Sequence, residues 1–299
     1  MTGEDARSRA TVVGGSALLL WATLALLTAL TGAVPPFQLV AMSFGIAFLL
    51  ALGKWIAFRE QPLRYLRQPP RVWLLGVGGL FGYHFLYFLA LRAAPPVEAN
   101  LVNYGWPLLI VLFSALLPGE ALRWWHVAGA AMGLAGTVLL VAGGGGASFE
   151  LAYLPGYAAA LGAAVTWAGY SVLNRRFGNV PTDTVGGFCA ATALLALGAH
   201  LAFEQTVWPS GPISWLAALL LGLGPVGAAF FLWDHGTKHG DIRVLGAAAY
   251  ATPLLSTLLL IAAGLGHATP GVIMACFLIT GGALLAAKDM LPFRARSPR

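Results

Sequence analysis

The chain repeats itself at an interval of 146 residues. Trp21 recurs as Trp167, Pro35 as Pro181, and Gly76 and Gly78 as Gly222 and Gly224. Tyr104, Pro107, Leu108 and Leu109 recur as Tyr250, Pro253, Leu254 and Leu255, and Gly136 recurs as Gly282. One gapless offset aligns all of these positions, which scattered apolar similarity rarely produces. Each copy holds five apolar spans, and an odd number of crossings turns the second copy over relative to the first. The spacing therefore predicts two five-helix repeats of inverted topology. They run over 11–142 and 153–288, joined by the glycine run 143–146 and flanked by tails at 1–10 and 289–299.

The solvent for such a fold is lipid. Of the 299 residues 59% are hydrophobic and only 9% charged; the mean hydropathy is +0.79. So few charges cannot keep that much apolar surface in water. A helix needs about twenty apolar residues to cross the hydrocarbon core. Runs of that kind fall near 11–31, 37–57, 72–91, 96–117 and 122–142, then 153–173, 183–203, 213–233, 243–263 and 270–287. Pro and Gly punctuate them at Pro35-Pro36, Pro69-Pro70, Pro95-Pro96 and Pro118-Gly119. The first run lacks a cleavage pattern and reads as a retained helix. The expectation is an all-α membrane protein of ten transmembrane helices.

Orientation follows from the basic residues. With the N-terminus inside, sixteen of the seventeen Lys and Arg fall on the cytoplasmic side, and only Arg92 lies opposite. Both termini are expected to be cytoplasmic. The net charge of +6 is then a topology signal and a contact with anionic lipid, so no nucleic-acid partner is expected. Cys189 and Cys276 sit inside apolar spans without metal-ligand spacing, so no disulfide framework or zinc site is expected.

Polar groups inside spans are costly, and they are the candidates for a site. In the third span Tyr83, His84 and Tyr87 share one face, spread over about 100° of arc. In the fourth, Asn100, Asn103, Tyr104 and Pro107 share another, with Trp106 about 60° further round. Asparagines at membrane depth need partners, either a neighbouring helix or a ligand. Pro107 removes a backbone donor near them, and Pro253 repeats the interruption. In the sixth span Trp167, Tyr170, Ser171 and Asn174 follow i, i+3, i+4, i+7 spacing along one stripe. Such a stripe is as readily core as site. Tyr250 joins the candidates through its match to Tyr104, and Trp233 through its match to Tyr87. The candidate substrate-binding set is thus Tyr83, His84, Tyr87, Asn100, Asn103, Tyr104, Trp106, Trp167 and Tyr250.

Several classes are disfavoured. Gly76, Gly78, Gly79 and Gly82 resemble a dinucleotide fingerprint, but they lie in a membrane span with no preceding strand and read as close-packing positions. His235 and His239 stand four apart, yet Gly236 and Gly240 predict a solvated cytoplasmic turn there. The six histidines are scattered, so an intramembrane enzyme lacks its constellation and no cofactor is called for. No Lys or Arg lies mid-span to grip a phosphate, and Glu98 and Asp183 lie near span ends. A cavity of Tyr, Trp, His and Asn instead offers flat π faces and uncharged hydrogen bonds, which suits small zwitterions. Organic cations, drugs or other small metabolites are the alternative, with cations held by cation–π attraction.

These residues also carry a family resemblance. The run Tyr87-Phe88-Leu89-Ala90-Leu91-Arg92-Ala93-Ala94, then 100–107, Pro118-Gly119-Glu120 and 129–136, resembles the second part of an EamA repeat of the drug/metabolite transporter superfamily. The stretch from Trp233 through Lys238 and Tyr250 to Pro253 is similar to the same part of a second repeat. Tyr83-His84-x-x-Tyr87 with Tyr104-x-Trp106 resembles the aromatic amino acid exporters of that superfamily. The resemblance implies a ten-helix basket around a central cavity, and export of aromatic and other neutral amino acids across the inner membrane. The second half departs from the pattern at Phe230, which stands where the first has His84. The sequence leaves the oligomeric state open, and a monomer is compatible with it.

Overall fold

The computed structural model describes residues 3–142, 150–264 and 269–288. The glycine run 143–146, His267 and the tail 289–299 lie outside the described residues. Every regular element among the described residues is helical. Seven helical stretches are long and apolar enough to cross a membrane: Gly3–Leu30, Pro36–Ala57, Pro70–Ala93, Leu151–Phe177, Thr184–Phe203, Pro212–His239 and Ile242–Ala262. Trp124–Ala142 and Pro270–Ala286 are shorter apolar helices, and the run near 96–117 divides into Pro96–Asn103 and Trp106–Ser114.

Proline decides where many of these helices begin. Pro36, Pro62, Pro70, Pro96, Pro212 and Pro270 each occupy the first helical position. There the fixed φ suits the helix, and the missing N–H would have had no partner anyway. The N-terminal tail differs from expectation. Helix begins at Gly3, because Arg7 is anchored to Glu120 and Asp241 rather than left in water.

Interruptions recur at, or within one residue of, the 146-residue interval. A π-helical turn spans Gly78–Gly82, and another spans Gly224–Ala228. Turns at 104–105 and 249–250 divide the helices that precede Pro107 and Pro253. A proline two or three residues into the second piece can neither donate to the preceding turn nor tolerate its carbonyl, so the helix restarts there.

Packing runs between residues before 142 and residues after 150. Trp124–Ala142 lies against Pro270–Ala286, Pro36–Ala57 against Thr184–Phe203, Gly3–Ala22 against Ala229–His239, and Leu154–Asn174 against Tyr83–Ala93. Glycines set the closest crossings. A Cβ on Gly282 would stand 2.5 Å from the Gly129 carbonyl oxygen, and one on Gly14 would stand 2.6 Å from the Gly236 Cα. Where lipid competes for apolar surface, such close backbone approach is what holds helices together.

The second contact corrects the expectation for His235 and His239. The segment is helix through His239, not a solvated turn, and Gly236, Thr237 and Lys238 are buried. Gly236 is there to admit the backbone of Gly14, and this packing overrides its weak helix propensity.

Candidate functional site

The main core cluster is aromatic at its centre, where the helix Leu154–Asn174 brings Trp167 against side chains from four other helices. Trp167 meets Trp21 at 5.7 Å, Tyr83 at 5.4 Å, Trp106 at 6.3 Å, Phe230 at 5.7 Å and Trp233 at 6.4 Å between ring centroids. Most of these pairs are edge-to-face or tilted, the arrangement ring quadrupoles favour. On the far side of Tyr83 stands Tyr87, at 5.9 Å and nearly parallel. His84 lies edge-on to Phe44 at 5.3 Å.

Hydrogen bonds fix the rings. The Tyr87 hydroxyl donates to Asn100 Oδ1 at 2.6 Å, and Asn103 Nδ2 donates to the Tyr83 hydroxyl at 3.2 Å. Both asparagines therefore find partners on the neighbouring helix Tyr83–Ala93 and hold the tyrosines in place. His84 Nδ1 lies 2.7 Å from the Leu80 carbonyl oxygen, one turn earlier. A carbonyl only accepts, so Nδ1 carries the proton and Nε2 of the neutral ring is left as an acceptor. Trp233 Nε1 donates to Ser171 Oγ at 3.0 Å, and Trp21 Nε1 to the Pro225 carbonyl at 2.9 Å. The last bond ties the first helix to the π-helical turn of the second half.

Exposure separates the predicted residues into two kinds. Tyr83, His84, Tyr87, Asn100 and Tyr104 are half-buried, whereas Asn103, Trp106 and Trp167 are buried behind them. Tyr250 goes elsewhere. It is fully buried in a second cluster with Ile279 and Ala130, and its hydroxyl accepts the Leu108 N–H at 3.2 Å. That N–H belongs to the first turn of Trp106–Ser114, where no helical carbonyl is in reach.

Two elements escaped the sequence reading. Phe44 stacks on Phe230 at 5.4 Å, and nothing in its apolar surroundings distinguishes it beforehand. Asp234, read as part of a loop, is fully buried. Its Oδ1 accepts from Asn174 Nδ2 at 2.9 Å, and its Oδ2 accepts from Thr182 Oγ1 at 2.7 Å and Lys238 Nζ at 2.8 Å. The i, i+4 spacing of Asp234 and Lys238 on a helix was the available signal.

A second ionic group closes the same end of the bundle. Glu120 receives Arg7 at 2.8 Å and Arg175 at 3.0 Å, and Asp241 receives Arg243 at 2.6 Å and Arg7 at 3.0 Å. Burial alone would raise the Asp241 carboxyl, but hydrogen bonding and charge from Arg243 and Arg7 outweigh it and hold it below the usual carboxylate range.

An apolar helical chain with aromatic and ionic groups packed between its spans is a multi-span membrane protein. The chain belongs to the EamA-like transporter family, whose pattern matches it twice, over residues 11–142 and 154–287. It is 57% identical to the aromatic amino acid exporter YddG of Ancylobacter novellus over 94% of this chain and 97% of that protein. It is 27% identical to the YddG of Escherichia coli K12, over 93% and 97% respectively. A solved crystal structure with 55% identity superposes with a TM-score of 0.90, covering 95% of this chain and 99% of that one. The threonine/homoserine exporter RhtA of Escherichia coli K12 is 31% identical over a shorter stretch, 62% of each chain. The family is one of transporters, not enzymes.

Proposed function

We propose that this chain exports aromatic and other small neutral amino acids across the cytoplasmic membrane by alternating access. In this reading ten helices form two inverted repeats, 11–142 and 153–288, with both termini cytoplasmic. Sixteen of seventeen basic residues on one side support that orientation. The recurrence of π-helical turns and helix breaks at, or within one residue of, the repeat interval supports the duplication.

The observation that carries the substrate assignment is the setting of Tyr83. It lies between Trp167 and Tyr87, and Tyr83 and Tyr87 keep partial exposure while the rings behind them are buried. An aromatic or apolar side chain would stack on Tyr83 and Tyr87, with Trp167 as backing. Nε2 of neutral His84 would accept from the ammonium group, and the Tyr104 hydroxyl would donate to the carboxylate. Tyr250 in this scheme supports the fourth-span break rather than touching substrate.

The identity of the relatives favours the same substrate class, since the 57% identical protein is an aromatic amino acid exporter. An organic-cation substrate is less well served. The buried carboxylate of Asp234 is already saturated by Lys238, Asn174 and Thr182. Proteoliposomes containing the purified chain are expected to take up labelled phenylalanine, with tyrosine and leucine competing better than a lipophilic quaternary ammonium. Uptake blocked by the cation and not by tyrosine would overturn the assignment.

A further inference from the structure

A groove of about 510 Å³ runs down the outside of the bundle between Pro70–Ala93 and Leu151–Phe177. Its walls are apolar and open outward: Leu74 is 77% exposed, Val165 43% and Leu173 41%. Gly78 and Gly169 both line it, and a Cβ at either would meet nothing within 4 Å, so there is unfilled space where side chains would normally stand.

One end of this groove is basic. Arg71 lies in the first turn of the first helix and Arg176 in the last turn of the second, and both are exposed. Neither guanidinium makes an ion pair or hydrogen bond with the described residues. Arg71 Cζ lies 5.7 Å from the centroid of the Phe177 ring, which ties it to the residue beside Arg176. No acidic residue lines the groove.

The dimensions match one leaflet. From Arg71 to Gly79 the helix rises about 12 Å, and from Arg176 back to Val165 about 16 Å. Half of a hydrocarbon core is about 15 Å deep. The groove therefore has positive charge at one end, with apolar surface running from it for about the length of an acyl chain.

We propose that this groove binds one anionic phospholipid, with its phosphate between Arg71 and Arg176 and an acyl chain along Leu74, Gly78 and Gly169. Guanidinium groups present fork-shaped donors that match phosphate oxygens, and basic pockets between transmembrane helices at a membrane face take such headgroups. The chain would then lie against the π-helical turn that leads into Tyr83 and His84.

Native mass spectrometry of the delipidated full chain, titrated with phosphatidylglycerol and phosphatidylcholine of identical acyl chains, tests this. Each arginine contributes about a fivefold preference for the anionic lipid, so the pair gives about 25-fold. R71Q/R176Q is expected to abolish that preference, whereas R64Q/R67Q, at the same membrane face but outside the groove, keeps it. Gly169→Leu, which fills the groove, is expected to lower retention of both lipids. Equal retention of the two lipids by the unaltered chain would overturn the proposal. So would full preference in R71Q/R176Q, or its equal loss in R64Q/R67Q.

Discussion

The Tyr250 hydroxyl accepts the Leu108 backbone N–H at 3.2 Å, so a residue of one half caps a helix that restarts inside the other. Both residues lie beside the proline-linked breaks, and this hydrogen bond joins the two. Tyr250→Phe leaves that N–H with no acceptor, at a cost of about 1–3 kcal/mol. The expected outcome is a lower melting temperature with an unchanged order of substrate preference. A changed order with undiminished stability would place Tyr250 in the substrate site instead.

Asp234 and Lys238 are paired where neither reaches water. Removing one partner strands a buried charge, at a cost of about 3–5 kcal/mol. Asp234→Asn is therefore expected to destabilise strongly, and Asp234→Asn with Lys238→Met to recover much of the loss. Thermal unfolding in detergent reads both, and additive losses would contradict a coupled pair.

Asp241 gives a dependence on pH. Its carboxyl is held below the usual range, so its contribution is full above the unfolded-state pKa and is lost as pH falls through the folded one. The stability gap between the unaltered protein and Asp241→Asn is expected to be widest near neutrality and to narrow in acid below the ordinary carboxylate range. A gap independent of pH would contradict this charge-based role.

His84 donates through Nδ1 to Leu80 and keeps Nε2 as an acceptor. His84→Asn preserves a donor at short reach and is expected to retain stability while losing transport. His84→Gln reaches the Nε2 position with an amide and is expected to keep part of the transport rate. Equal, full transport by both variants would remove His84 from the site.

Much of this was legible before the structure, for identifiable reasons. Lipid as solvent makes span length a direct reading, and Pro107 with Pro253 marked the breaks. Asn100 and Asn103 announced themselves by the cost of an unpaired amide at depth. What stayed hidden is what depends on tertiary neighbours. Gly236 reads as a turn residue until Gly14 lies against it, and Asp234 reads as a loop residue until that helix extends to His239. Phe44 is one apolar residue among many, and only its contacts with Phe230 and His84 set it apart. The 146-residue offset paired Tyr250 with Tyr104, yet Tyr250 is packed in the second cluster with its hydroxyl on the Leu108 N–H, while Tyr104 is half-buried.

The proposed stacking of substrate on Tyr83 and Tyr87, backed by Trp167, is tested by calorimetric titration of phenylalanine into the purified chain. Tyr83→Ala and Trp167→Ala are each expected to raise Kd by about tenfold, the loss of one aromatic contact, with the protein still folded. Phenylalanine bound as tightly by both variants as by the unaltered chain would place the substrate elsewhere.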